Sequence, residues 1–188
     1  MKKLILFILS AGLLSSPAFA NIYLDFNGAY TQTGDLENQP GLGGTLAVSL
    51  HRNVNFFART IYSTVTMDAN TPEEVEYSYF MAMGGVQYIS RIGESRAYWF
   101  VNLGLGTAEG EAETSLGGAH VGEMGPAGAL WAAILVEATQ RLGAYLEAGY
   151  HYPMYDNELE DADIKGFQVL LGVRFTIWGR NRSLFGDY

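Results

Sequence analysis

Hydrophobic and polar residues alternate along most of the chain. This is the two-residue period of β-strands, not the 3.6-residue period of helices. The segment near the C-terminus shows it best. Phe167, Val169, Leu171, Val173, Phe175 and Ile177 fall on one face, and Gln168, Leu170, Gly172, Arg174 and Thr176 on the other. The first segment sets Ile22, Leu24, Phe26, Gly28 and Tyr30 against Tyr23, Asp25, Asn27, Ala29 and Thr31. A third sets Val54, Phe56, Ala58, Thr60 and Tyr62 against Asn55, Phe57, Arg59, Ile61 and Ser63. A fifth sets Trp99, Val101, Leu103 and Leu105 against Phe100, Asn102, Gly104 and Gly106. A seventh sets Ala144, Leu146, Ala148 and Tyr150 against Tyr145, Glu147, Gly149 and His151. The second (Leu46, Val48, Leu50) and fourth (Phe80, Ala82, Val86, Tyr88) carry weaker patterns. The sixth, 128–139, suits a helix equally well on propensity, while its neighbours and spacing favour a strand.

The connections alternate in length. Short ones fall at 51–54, 90–96 and 140–143, and long ones at 34–41, 66–76, 108–126 and 153–165. Four long loops at one end and three short turns at the other is the plan of an up-and-down barrel. Both ends of the folded part then lie at the short-turn end. Pro40, Pro72, Pro126 and Pro153 are assigned one to each long loop, because proline cannot donate to a strand ladder. The pattern predicts an all-β, eight-stranded antiparallel up-and-down barrel.

The apolar faces are long and aromatic, and the opposite faces are expected to be small or polar. Eight closed strands leave a narrow interior that such side chains fill. A polar lumen with an apolar exterior is the arrangement of an outer-membrane barrel, so the strands are expected to be transmembrane. Closure satisfies every backbone group in lipid. Tyr30, Tyr62, Tyr150 and Tyr152 would form one interfacial girdle, and Phe56, Tyr88, Trp99 and Trp178 the other.

Composition narrows the picture. The 188 residues fit one domain. The absence of cysteine excludes a disulfide scaffold, a zinc ribbon, a thiol nucleophile and a lipoprotein anchor. A formal charge of −9 argues against a nucleic-acid binder. Residues 1–20 read as a cleaved signal peptide: Lys2 and Lys3, an apolar core from Leu4 to Leu14, then Ala18-Phe19-Ala20. The barrel is assigned to 21–178 and a short periplasmic tail to 179–188.

The charges sort by end. The long loops hold Asp35, Glu37, Asp68, Glu73, Glu74, Glu76, Glu109, Glu111, Glu113, Glu123, Asp156, Glu158, Glu160, Asp161 and Asp163, with Lys165 the one basic residue among them. The short turns and tail hold Arg52, Arg91, Arg96, Arg141, Arg180 and Arg182. Five further charges, Asp25, Arg59, Glu137, Glu147 and Arg174, fall on the inner face at one level. A lone buried charge is costly, so they are expected to pair as a plug, both arginines against the three acids. The rival reading is an ion path. The loop cluster Glu158, Glu160, Asp161 and Asp163 is the candidate cation or partner site, where divalents could bridge to lipopolysaccharide phosphates. The rival reading is a solvated surface, and no EF-hand spacing is present.

Catalytic readings are weak. His51, His120 and His151 share no metal-ligand spacing. His151 reads as a polar residue at the lumen mouth. Gly104-x-Gly106-x-x-Glu109 lacks the last glycine of a dinucleotide fingerprint.

The chain resembles the small eight-stranded outer-membrane barrels of Gram-negative bacteria, the OmpA-like, OmpX and opacity class, over 21–178. Gly172-x-x-Phe175-x-Ile177 is similar to that family's terminal strand, which the barrel assembly machinery recognises. Ile177 replaces the final aromatic, Trp178 follows it, and a tail continues beyond. The resemblance implies a monomer in the bacterial outer membrane, embedded among lipids and lipopolysaccharide. It also implies roles in adhesion to host or surface ligands or in membrane integrity, with no cofactor and no enzymatic chemistry. The alternatives are a narrow porin-like channel, an outer-membrane lipid-modifying enzyme and a soluble ligand-binding barrel. The His-x-Ser pair of lipid A deacylases is absent, because Pro153 follows two positions after His151.

Overall fold

A computed structural model describes residues 21–33, 36–67, 75–114, 120–154 and 165–179. They form eight strands: β1 (Ile22–Thr33), β2 (Leu36–His51), β3 (Val54–Met67), β4 (Val75–Arg91), β5 (Ala97–Thr114), β6 (His120–Glu137), β7 (Leu142–Pro153) and β8 (Gly166–Trp178). Each pairs antiparallel with its sequence neighbour, and β8 pairs with β1 to close the barrel. Ile22 opposes Trp178, which brings both ends of the folded part to the short-turn end. The ambiguous sixth segment is a strand.

The register fixes the shape. From Ala127 the Cα partners run through Gly106, Met83, Arg59, Thr45, Asp25, Arg174 and Gly143, and return to β6 at Glu137. The circuit has slipped ten residues along one strand. With ~3.3 Å rise per residue and ~4.8 Å between strands, that stagger tilts the strands by about 41° at a radius of about 8 Å. Each residue then climbs about 2.5 Å along the barrel axis.

The short turns are stitched tightly. The Asn53 side chain donates to the Ile89 carbonyl at 2.7 Å, and the Ile89 N–H donates to the Asn53 carbonyl at 2.8 Å. In the β4–β5 turn Gly93 has φ 58°, a left-handed conformation in which a Cβ is strained. Thr139 Oγ1 accepts from the N–H groups of Arg141 and Leu142 in the β6–β7 turn.

Three expectations need correction. The strands reach far into the segments expected to be long loops. β5 and β6 stay paired up to Glu113 opposite His120, so Glu109, Glu111, Glu113 and Glu123 lie on strands, as do Glu37 and Glu76. The prolines mark lost neighbours and not loops. Pro40 pairs with Tyr30 of β1, one residue before β2 begins to pair with β3. Pro126 pairs with Thr107 of β5, one residue before β6 begins to pair with β7. A strand flanked on one side only tolerates the missing donor. Pro153 ends β7, and Pro72 lies outside the described residues.

The third correction concerns the interior, which is not merely small and polar. Two apolar clusters fill it: one with Phe57, Ile61, Tyr79, Met81, Met83, Trp131 and Leu170, the other with Ile89, Tyr98, Phe100, Leu135 and Tyr145. Glycines make the room. A Cβ on Gly172 would lie 2.5 Å from Tyr145 Cζ, and one on Gly104 would lie 3.2 Å from the Trp131 ring. Large inward side chains opposite glycines fill a lumen that uniformly small residues would leave void.

Candidate functional site

Inward positions on every strand but β6 converge on one polar layer. Arg174 on β8 makes a bidentate pair with Asp25 on β1, its register partner, at 2.8 Å from Nε and 2.7 Å from Nη2. Arg59 on β3 reaches across the lumen to Glu147 on β7, with Nη1 and Nη2 at 2.9 and 2.8 Å from its two oxygens. Fork-on-carboxylate geometry is the strongest neutralising contact available to buried side chains. All four residues are essentially inaccessible.

Neutral side chains join the pairs into one network. Asn102 donates to Glu147 Oε1 at 2.6 Å, and its own oxygen accepts from Gln87 at 2.8 Å. Gln87 Oε1 accepts from Asn55 at 2.8 Å and from Arg174 Nη1 at 3.1 Å. Arg59 Nε donates to Thr45 Oγ1 at 2.9 Å. The guanidinium faces are also covered. Arg59 lies 4.7 Å from the Trp131 ring centroid and 5.6 Å from that of Phe57, and Arg174 lies 5.1 Å from Phe100 and 5.4 Å from Tyr23. Cations over aromatic faces gain further attraction when desolvated.

Four of the five inner charges named from the sequence therefore meet as two pairs. Arg174 takes Asp25, and its connection to Glu147 runs through Gln87 and Asn102. Glu137 is in neither pair. It is the last residue of β6, buried at the short-turn rim, one register circuit below Ala127. Asn55, Gln87 and Asn102 are the missed members. Their signal is an inward polar position on each strand, which an uncharged amide marks less sharply than a charge does.

Glu158, Glu160, Asp161 and Asp163 lie outside the described residues, as do the signal segment and 180–188. Among the described residues no group of three or more His, Cys, Asp or Glu side chains is placed to hold a metal ion. Gly172 faces inward against Tyr145, while Phe175 and Ile177 face outward, Phe175 edge-on to Phe26 at 6.3 Å. His151 is fully buried above the charged layer, its ring 5.0 Å from that of Tyr79. His51 is exposed at a turn, and His120 opens β6.

Chemically the layer is saturated. Both oxygens of each carboxylate accept from an arginine, the formal charges cancel, and apolar residues pack around it. Such an arrangement ties strands together across the lumen.

The outer face is the inverse. Leu42, Leu103, Leu105 and Leu171 are 75, 60, 63 and 67 % exposed, values that a water-facing surface does not concentrate in one belt. On β7 the outward run from Ala144 to Tyr152 rises about 20 Å, near the height of a lipid-facing band. Tyr30, Tyr62, Tyr150 and Tyr152 are exposed towards the long connections, and Phe56, Tyr88, Trp99 and Trp178 towards the short turns.

No family model matches the chain, and no curated protein matches it in sequence. Solved structures do match in shape. Neisserial surface protein A is similar with a TM-score of 0.59 at 10 % identity, over 84 % of this chain and 97 % of that one. Ail, the attachment invasion locus protein of Yersinia pestis, solved with the heparin analogue sucrose octasulfate, gives 0.53 at 15 % identity, over 83 % and 97 %. The N-terminal β-barrel domain of Pseudomonas aeruginosa OprF gives 0.53 at 11 %, over 81 % and 96 %. The fold is that of the small eight-stranded outer-membrane barrels.

Proposed function

We propose that this chain is an integral, monomeric protein of a bacterial outer membrane, with its lumen closed by the charged network and its acidic end facing outward to engage surface partners. No catalytic step belongs to this reading. The observation that carries it is the apolar belt with an aromatic girdle at each rim, wrapped around a closed barrel whose polar side chains point inward. Lipid is the solvent that such an inversion suits.

The charge of the outer end narrows the partner. Ail is a similar barrel solved with a polysulfated ligand. Here that end holds fifteen acids and Lys165, so a polyanion would be repelled unless cations intervene. A basic partner surface, or lipopolysaccharide phosphates bridged by divalent cations to Glu158, Glu160, Asp161 and Asp163, fits the charge. Gly172, Phe175 and Ile177 would serve as the signal for the assembly machinery.

Placement is tested by epitope tags on intact cells. A tag inserted within 158–163 is expected to be antibody-accessible, and one at 139–141 only after permeabilisation. Reversed or absent surface labelling would overturn the orientation. Calcium titration of the acidic loops reads the bridging idea, which fails if millimolar calcium leaves their mobility unchanged.

A further inference from the structure

The rim at the short-turn end carries a chemistry that the lumen and loops do not use. Each of the three short turns presents an exposed arginine: Arg52 between β2 and β3, Arg91 and Arg96 between β4 and β5, and Arg141 between β6 and β7. Among the described residues there, Glu94 is the one exposed acid. From residue 21 onward the chain has eight arginines and a single lysine, Lys165, at the opposite end. Among the described residues, the rim's permanently cationic side chains are therefore all guanidinium.

We propose that this ring docks on the phosphate diesters of anionic glycerophospholipids in the leaflet at the short-turn end. The inference rests on the membrane reading above. Four features select this occupant. Guanidinium forks match phosphate oxygens two at a time, which ammonium groups do not. Arg91 is held in place, with Nε donating to the Ser95 carbonyl at 2.6 Å and Nη2 to the Glu94 carbonyl at 3.0 Å. The arginines also sit just beyond an aromatic girdle, where Tyr88 and Trp99 pack at 5.4 Å. That depth is where headgroups lie. Spacing over all three turns suits an annulus of lipid, whereas a macromolecular partner needs one contiguous patch.

Tryptophan makes the test direct. Trp99 and Trp178 face outward at this rim, and Trp131 is buried in the lumen. The mature chain is folded into phosphatidylcholine vesicles containing equal fractions of phosphatidylglycerol, with one lipid or the other brominated at shallow acyl positions. Brominated phosphatidylglycerol is expected to quench on the order of two- to three-fold more effectively, and the preference to shrink in high salt. Combining Arg52→Gln, Arg96→Gln and Arg141→Gln should remove most of the preference, leaving the share that Arg91 carries, while the boiled-versus-unboiled gel shift persists. Arg91 stays in place there because it braces its own turn. The corresponding lysine variants should retain part of the preference.

Equal quenching by the two lipids in the natural chain overturns the proposal, as does a preference that survives undiminished in the glutamine variant. Arginine-dependent co-sedimentation with peptidoglycan sacculi, without lipid preference, would assign the rim to a polymer instead. Loss of the gel shift in the natural chain would sink the membrane reading itself, a different failure from loss of lipid preference alone.

Discussion

At the residue scale, two arginines sealed in the barrel define the energetics of the lumen. Removing one partner of a buried pair strands the other charge, so Glu147→Ala is expected to cost about 3–5 kcal/mol, read by urea unfolding in lipid vesicles. Glu147 anchors both Arg59 and Asn102, and among the described residues no other carboxylate is bonded to either. Double-mutant cycles should give strong coupling for Arg59 with Glu147 and for Arg174 with Asp25. Coupling of Arg174 with Glu147 should be weaker, because it passes through two amides. Equal coupling in all three cycles would contradict the paired geometry. Gly172 has a second role independent of any assembly signal. Gly172→Ala drives a Cβ into the Tyr145 ring and is expected to destabilise by about 1–3 kcal/mol. Tyr145→Leu in the same chain should recover part of that loss, which a purely signal-reading role for Gly172 would not show.

At the element scale, outward and inward positions on one strand should respond oppositely to charge. Leu171 is on the exposed face near mid-belt, so Leu171→Arg is expected to cost about 2–4 kcal/mol in a bilayer. In a water-soluble barrel the same change would be neutral, and that result would reverse the faces. The alternation that makes this testable was legible in the sequence, because a half-lipid-facing strand stamps period two onto its residues. Strand ends were not. Main-chain pairing continues through Glu109–Thr114 and His120–Pro126, where apolar residues no longer mark the outward face, and apolar period two reports a lipid-facing surface rather than hydrogen bonding. Proline misled for a related reason: Pro40 and Pro126 lose one ladder partner and keep the other. The charged layer was visible as five inward charges. Who pairs with whom depends on the ten-residue stagger, a property of closure that no single strand encodes. The inward aromatics were overlooked because each looks misplaced until the glycine facing it is known.

At the scale of the whole molecule, the barrel separates three environments: an acidic end at the long connections, an apolar waist around paired inner charges, and an arginine rim. The network spans the lumen and the aromatic clusters flank it, so planar-bilayer recordings should show no unitary conductance. Discrete steps from the natural chain would contradict a closed lumen. The central claim is a lipid-solvated, closed barrel, and gel mobility tests it most directly. The mature chain, folded in detergent, is loaded with and without boiling. The unboiled sample is expected to migrate separately from the boiled one, as a barrel that resists dodecyl sulfate must. Identical migration, together with solubility in plain buffer, would contradict it and place the apolar faces on the inside.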